Sequence, residues 1–218
     1  MFYASYGSFM HKLIEGFYKR ELSREEMCTK FLFDFQKEVL GERPPGNIPQ
    51  KYVQLGTQYL RNFKPFPYTP IAIEEKMMFE IEGYRFVGYI DYLGEKDGKL
   101  IIVDNKSRDL KPRSKKPKPT QKDIELDEML RQLYIYSAAV EQKYGKTPEL
   151  LCFNCFKANT FIEEKFDKAK YDEAINWAVE NIEKILDAED FSPYIEYFQC
   201  KYICGVRDEC EYQKLAGK

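Results

Sequence analysis

The sequence lacks several features that would assign a function class at once. No apolar run approaches the roughly 18 residues that span a bilayer, and no signal-peptide pattern opens the chain, so a cytoplasmic protein is expected. No G-x4-G-K-[ST] loop is present, which excludes a P-loop motor. There is a single histidine, His11, and the formal net charge is only −2, so the overall balance does not point to a nucleic-acid partner. No internal repeat and no linker break the chain. Its 218 residues suit one sizeable core better than two independent ones.

What is present is an ordinary globular composition, 44% hydrophobic and 16% aromatic, with six cysteines. In a reducing compartment such thiols are metal ligands or plain buried groups rather than disulfides. Charge is unevenly spread. Lys106, Arg108, Lys111, Arg113, Lys115, Lys116 and Lys118 follow one another against Asp109 alone. Most such runs are solvated loops, but positive charge concentrated in one segment can also hold a phosphate backbone.

Two helices are expected from Tyr6 to about Leu40, the second opened by a Ser23–Glu26 capping box, and a third from Lys51 to Asn62. The period then changes. Ile71–Ile81, Tyr84–Tyr92 and Lys99–Asp104 read as three strands of a meander, with turns at 82–83 and 95–98. Residues 107–120 lack apolar periodicity and read as an exposed, mobile loop. Residues 121–144 return to helix, Leu150–Phe156 reads as a buried strand, and Tyr171–Leu186 as an amphipathic helix. The expected organisation is one α/β domain over 1–190, with a helical part at 1–65 and a core at 70–190, followed by a cysteine-containing appendage at 191–218.

Chemistry is concentrated at Gly88-Tyr-Ile-Asp91 and Leu100-Ile-Ile-Val-Asp104-Asn-Lys106. Alternate strand residues share a face, so Asp104 and Lys106 project together, and Asp91 on the preceding strand can approach them. Two converging carboxylates form a hard-oxygen site suited to Mg²⁺ or Mn²⁺. An ion there can bind a phosphate and acidify an attacking water, and a lysine beside it can orient that water or neutralise developing charge. Alone, D-x-K is weak, because it recurs by chance.

The order of motifs adds specificity. A G-x3-H-x3-E helix (Gly7, His11, Glu15) is followed by G-x-h-D (Gly88, Asp91), an apolar strand ending D-x-K-[ST] (Asp104, Lys106, Ser107), and Q-L-x-x-Y (Gln132, Leu133, Tyr136). In this the chain resembles the RecB-like branch of the PD-(D/E)xK nucleases, which includes RecB and AddB nuclease domains and CRISPR-associated Fe–S nucleases. The resemblance covers about residues 4–140. It implies an α/β fold with a mixed sheet, an antiparallel meander and flanking helices. It also implies a metal held by His11, Asp91 and Asp104, with the Asn105 carbonyl as a further ligand, and Lys106 as catalytic lysine. Gln132 and Tyr136 would contact DNA or steady the site. A further acid often precedes G-x-h-D; Glu75 is the first choice and Glu74 the second. A lone histidine on an amphipathic helix is more often structural than a ligand, and only the motif reverses that reading for His11. Glu15 reads as a helper or surface residue, and Tyr136 could equally be core.

Cys200, Cys204 and Cys210 resemble the C-terminal C-x2-C-x5-C triplet that holds a [4Fe–4S] cluster in some of these nucleases, with one extra residue in the first gap. The family's fourth cysteine precedes the histidine motif, and the ten residues before His11 hold none. A cluster usually takes four thiolates, so an incomplete thiol site and zinc remain alternatives. Cys28, Cys152 and Cys155 read as buried thiols. The expected function is a Mg²⁺- or Mn²⁺-dependent DNA exonuclease in recombination, repair or phage DNA processing. Arg108, Lys111, Arg113, Lys115 and Lys116 would lie along the DNA backbone, and a helicase or recombinase partner would supply any unwinding. The alternative is a catalytically silent DNA-end-binding or scaffold subunit.

Overall fold

The computed structural model describes residues 2–41 and 43–212; residues 213–218 of the expected appendage lie outside them. The elements run α1 (Phe2–Tyr18), α2 (Arg24–Glu38), α3 (Ile48–Arg61), β1 (Thr69–Ile81), β2 (Tyr84–Lys96), β3 (Lys99–Lys106), α4 (Gln121–Tyr144), β4 (Leu150–Cys155), β5 (Thr160–Lys165) and α5 (Lys168–Asp187). A π turn (Gln199–Ile203) and a 3-10 turn (Arg207–Glu209) follow. The chain divides into two units, Met1–Phe63 with Ala188–Lys218, and Lys64–Asp187.

The first unit is helical. Ser23 caps α2 through the expected reciprocal bonds with Glu26, and Pro49 sits in the first turn of α3, where its missing N–H costs nothing. Its core is aromatic. Phe9 stacks on Phe31 at 5.8 Å, with Tyr6 and Phe35 edge-on to Phe31. Gly56 of α3 lies directly against the Phe31 ring, with no room for a Cβ. The C-terminal segment belongs to this unit, where Phe198 meets Tyr3 at 6.1 Å.

The second unit carries a five-stranded sheet in the order β1-β2-β3-β4-β5. The β1/β2, β2/β3 and β4/β5 pairs are antiparallel and β3/β4 is parallel. A parallel pair needs a crossover, and α4 supplies it. The hairpin turns are two residues each, Glu82-Gly83 (φ 47° and 81°) and Asp97-Gly98 (φ 53° and 76°). Two successive positive φ angles suit the right-handed twist of the strands they join. Hence β2 runs on to Lys96, and only two of the four expected turn residues at 95–98 form the turn.

Leu126, Leu130 and Leu133 of α4 are buried on Ile90, Ile102, Leu151 and Phe153 of the sheet. Each such leucine stabilises by about 1.5–3 kcal/mol, which seats α4 firmly. Thr120 caps α4 with Asp123 as its reciprocal partner, and Gly145 ends it at φ 71°. β5 was not expected. Among the described residues, no helix is long and apolar enough to cross a membrane.

The 107–120 segment is irregular but not the loose loop expected. Leu110 is buried in the core. Arg113 bonds Asp127 (2.7 and 3.2 Å) and Glu164 (2.8 Å), and Lys170 joins Asp127 at 2.6 Å. The Ser114 N–H and hydroxyl donate to Asp123 at 2.6 and 2.7 Å, as do those of Thr120. These bonds, the Ser114 N–H foremost, hold the Asp123 carboxyl well below the usual carboxylate range.

Candidate active site

The site arises where two strands part. Pairing of β2 with β3 runs from Lys96↔Lys99 to Tyr92↔Val103 and stops there. Beyond that point β2 stays paired to β1, and β3 stays paired to β4 as far as Lys106↔Cys155. Asp91 is therefore inside β2, not at its end as expected. Its carboxylate reaches into the gap and accepts the Asn105 N–H at 2.7 Å. A buried N–H left without an acceptor costs about 1–3 kcal/mol, so this bond holds the opening in one geometry. The Asn105 side chain points to the other face, where its oxygen accepts from Asn154 at 2.7 Å.

Asp104 and Lys106 share the face toward α4. Asp104 is buried, and the Lys106 ammonium lies 2.8 Å from its Oδ2. The same ammonium donates to Gln132 Oε1 at 2.9 Å, and Gln132 Nε2 donates to the Tyr136 hydroxyl at 2.9 Å. The Tyr136 ring lies on β2 at Gly88, where an added Cβ would meet its Cε1 at 2.6 Å. Three of the sequence motifs are thus links in one chain of contacts, Gly88–Tyr136–Gln132–Lys106–Asp104.

The acid before G-x-h-D requires a correction. Glu75 was the first choice, but its carboxylate is taken by Lys143 and by the Tyr144 hydroxyl, 2.9 Å away. It pairs with Ile90, whose side chain is buried toward α4, and so it shares that face. Glu74 is the residue opposite Asp91, with a carboxylate oxygen within 4.8 Å of one of Asp91. Glu74 also has φ 49°, a conformation costing an ordinary residue about 1–2 kcal/mol. Such strain clusters at functional sites.

The remaining predicted residues lie outside that chain of contacts. His11 is half-buried on α1 in the first unit, and Glu15 pairs with Lys19 there. In the basic segment, Arg113 is committed to Asp127 and Glu164, which removes it from the expected backbone-binding set. Lys111 pairs with Asp109 at 2.8 Å, and Arg108 reaches the Met129 sulfur. Lys115 and Lys116 are exposed. Cys152 and Cys155 are fully buried, and burial pushes their thiols up to about 12 and about 11. Cys200, Cys204 and Cys210 are half-buried free thiols. Among the described residues, they do not gather closely enough to share one ion.

Sequence reasoning missed the anchoring of 107–120 by α4 and β5. Its signal was Asp123, three residues after Thr120 in a capping box. Its reach back to Ser114 could not be read from spacing.

The profile of the PD-(D/E)XK nuclease superfamily matches residues 2–211. The chain belongs to this superfamily. No curated protein matches this PD-(D/E)XK nuclease. Among solved structures, it is similar to a protein from Eubacterium rectale provisionally named an exonuclease, at 10% identity and a TM-score of 0.48. The likeness covers 91% of this chain and 80% of the other. Nucleases of the superfamily use divalent metal ions, and the donors here fit one. Asp91, Asp104 and Glu74 offer carboxylates and Asn105 a backbone carbonyl, all hard oxygens of the kind Mg²⁺ and Mn²⁺ prefer.

Proposed function

We propose that this nuclease is a Mg²⁺- or Mn²⁺-dependent DNA exonuclease of the RecB-like branch, acting in recombination, repair or phage DNA processing. The observation that carries the reading is Lys106, held between Asp104 and Gln132 beside the opening that Asp91 enters. An ammonium has three donors, and these two partners use two of them. The third is available to the scissile phosphate or to the attacking water. Fixed at both sides, Lys106 can neutralise charge developing on phosphate without reorganising during the reaction.

Asp91, Asp104 and Glu74 would hold the metal, with the Asn105 carbonyl as a further ligand, and the histidine motif assigns His11 to the same ion. That ion supplies Lewis acidity to the phosphate and acidifies water. Gln132 and Tyr136 act by keeping Lys106 in place. Lys115 and Lys116, with Arg108 and Lys111, would bind the DNA backbone in a salt-sensitive, sequence-independent way. A helicase or recombinase would deliver unwound strands. The cofactor reading is confined to the divalent ion, because the three tail thiols supply one ligand fewer than a [4Fe–4S] cluster usually takes.

The test is degradation of end-labelled single- and double-stranded DNA, linear and circular, in Mg²⁺ or Mn²⁺. Wild type is compared with Lys106→Ala and Asp104→Ala. Metal-dependent loss of linear DNA, with circles spared and both variants inactive, is the expected result. Intact substrates in both metals would overturn the catalytic reading.

A further inference from the structure

The outward face of the β1–β2 hairpin carries an apolar surface that begins beside the candidate carboxylates. Cross-strand neighbours there are Lys76↔Tyr89, Met78↔Val87 and Glu80↔Arg85. The alternate positions, Met77, Phe79 and Ile90, are buried toward α4. Met78 is 77% exposed, Val87 61% and Tyr89 53%. Single exposed apolar residues are ordinary, but three adjoining on one strand pair form a continuous surface. Lys76 lies directly across from Tyr89, and Glu80 offsets Arg85, so the net positive charge is at the end nearer the site. Two cross-strand positions beyond Lys76 and Tyr89, past Glu75↔Ile90, are Glu74 and Asp91. Two strand residues advance about 7 Å, which sets the Tyr89 ring within reach of the nucleotide next to one whose phosphate lies at Asp91.

We propose that Tyr89, flanked by Met78 and Val87, is a stacking platform for unpaired bases of the strand being cut, with Lys76 on its phosphate. This inference rests on the nucleic-acid reading above and narrows it. A base inside a duplex has both faces covered by its neighbours, so it can lie flat on a tyrosine ring only after leaving the stack, and the enzyme takes single-stranded or frayed ends. Stacking tolerates any base, in keeping with the absence of a base-reading element. A protein partner would also accept apolar surface, but the register that joins this face to Glu74 and Asp91, and the lysine opposite the ring, favour a nucleic-acid strand.

The test is binding of a fluorescent oligothymidine and of a blunt hairpin duplex in EDTA, with wild type, Tyr89→Ala, Tyr89→Leu and Tyr89→Phe. Loss of one stacked base weakens binding about five- to hundredfold. Tyr89→Ala and Tyr89→Leu are expected to lose that much affinity for the single strand, Tyr89→Phe to retain it, and duplex binding to stay unchanged in all. Tyr89→Leu keeps an apolar side chain, so wild-type affinity there would overturn stacking. Equal losses on single strand and duplex would also overturn it, as would a change in oligomeric state in place of a change in affinity. If wild type binds neither nucleic acid, the nucleic-acid reading itself falls. If wild type binds and cleaves while Tyr89→Ala matches it, only the platform falls.

Discussion

Replacing Gly88 by alanine tests the chain of contacts behind Lys106 from its far end. Gly88 is not among the residues at positive φ, so alanine suits its backbone. On chain entropy alone the change would stabilise by about 0.4–1 kcal/mol. The structure predicts the opposite sign. The new Cβ would lie 2.6 Å from Tyr136 Cε1, and α4 cannot retreat because Leu130 and Leu133 seat it on the sheet. Overpacking of this kind costs about 1–3 kcal/mol. At about 2–4 °C per kcal/mol, Tm should fall by about 2–12 °C. The ring must swing, which takes its hydroxyl from Gln132 and releases Gln132 from Lys106. Misplacement of a catalytic group by about 1 Å can cost about a hundredfold, so single-turnover cleavage should slow by about 10- to 100-fold. Tyr136→Phe removes the hydroxyl and leaves the ring. If Gly88→Ala acts through that hydroxyl, the double variant should cleave no more slowly than Gly88→Ala alone. A Tm that holds or rises, wild-type cleavage by Gly88→Ala, or additive rate losses in the double variant would refute the reasoning.

Arg113→Ala should lower stability by about 1 kcal/mol, because its ion pairs are partly exposed, and should speed tryptic cleavage at Lys115, Lys116 and Lys118. Unchanged proteolysis would show that 107–120 is not anchored there. Asp123 has a depressed folded pKa, so its contribution is complete above the ordinary carboxyl value of about 4 and is lost as pH falls below it. Asp123→Asn should therefore flatten the acid limb of a Tm-against-pH curve while lowering Tm at neutral pH; an unaltered acid limb would contradict this. Glu74→Gln should weaken Mn²⁺ binding by calorimetry about tenfold or more, whereas Glu75→Gln should leave it near wild type. The reverse order would return the ligand role to Glu75.

Local rules were enough for much of this protein. A capping box placed α2 at Ser23, residues 121–144 read as helix, the change of period marked the meander, and strand alternation put Asp104 and Lys106 on one face. Each of these depends on residues within about four positions of one another, which is the range over which spacing carries information. Tertiary structure decided the rest. The strands part after Tyr92↔Val103, and the Asp91 carboxylate enters that opening to accept the Asn105 N–H. Glu74 rather than Glu75 is the acid beside Asp91 because the β1/β2 register sets Glu75 across from Ile90, and only the pairing of the two strands fixes that register. Gly88 is tied to Tyr136 through an approach between β2 and α4, 48 positions apart. The basic segment is held because Arg113 and Ser114 find Glu164, Asp127 and Asp123 on elements that fold back over it. Sequence spacing determines which side chains a single strand or helix presents together; only the packing of one element on another determines which of them meet.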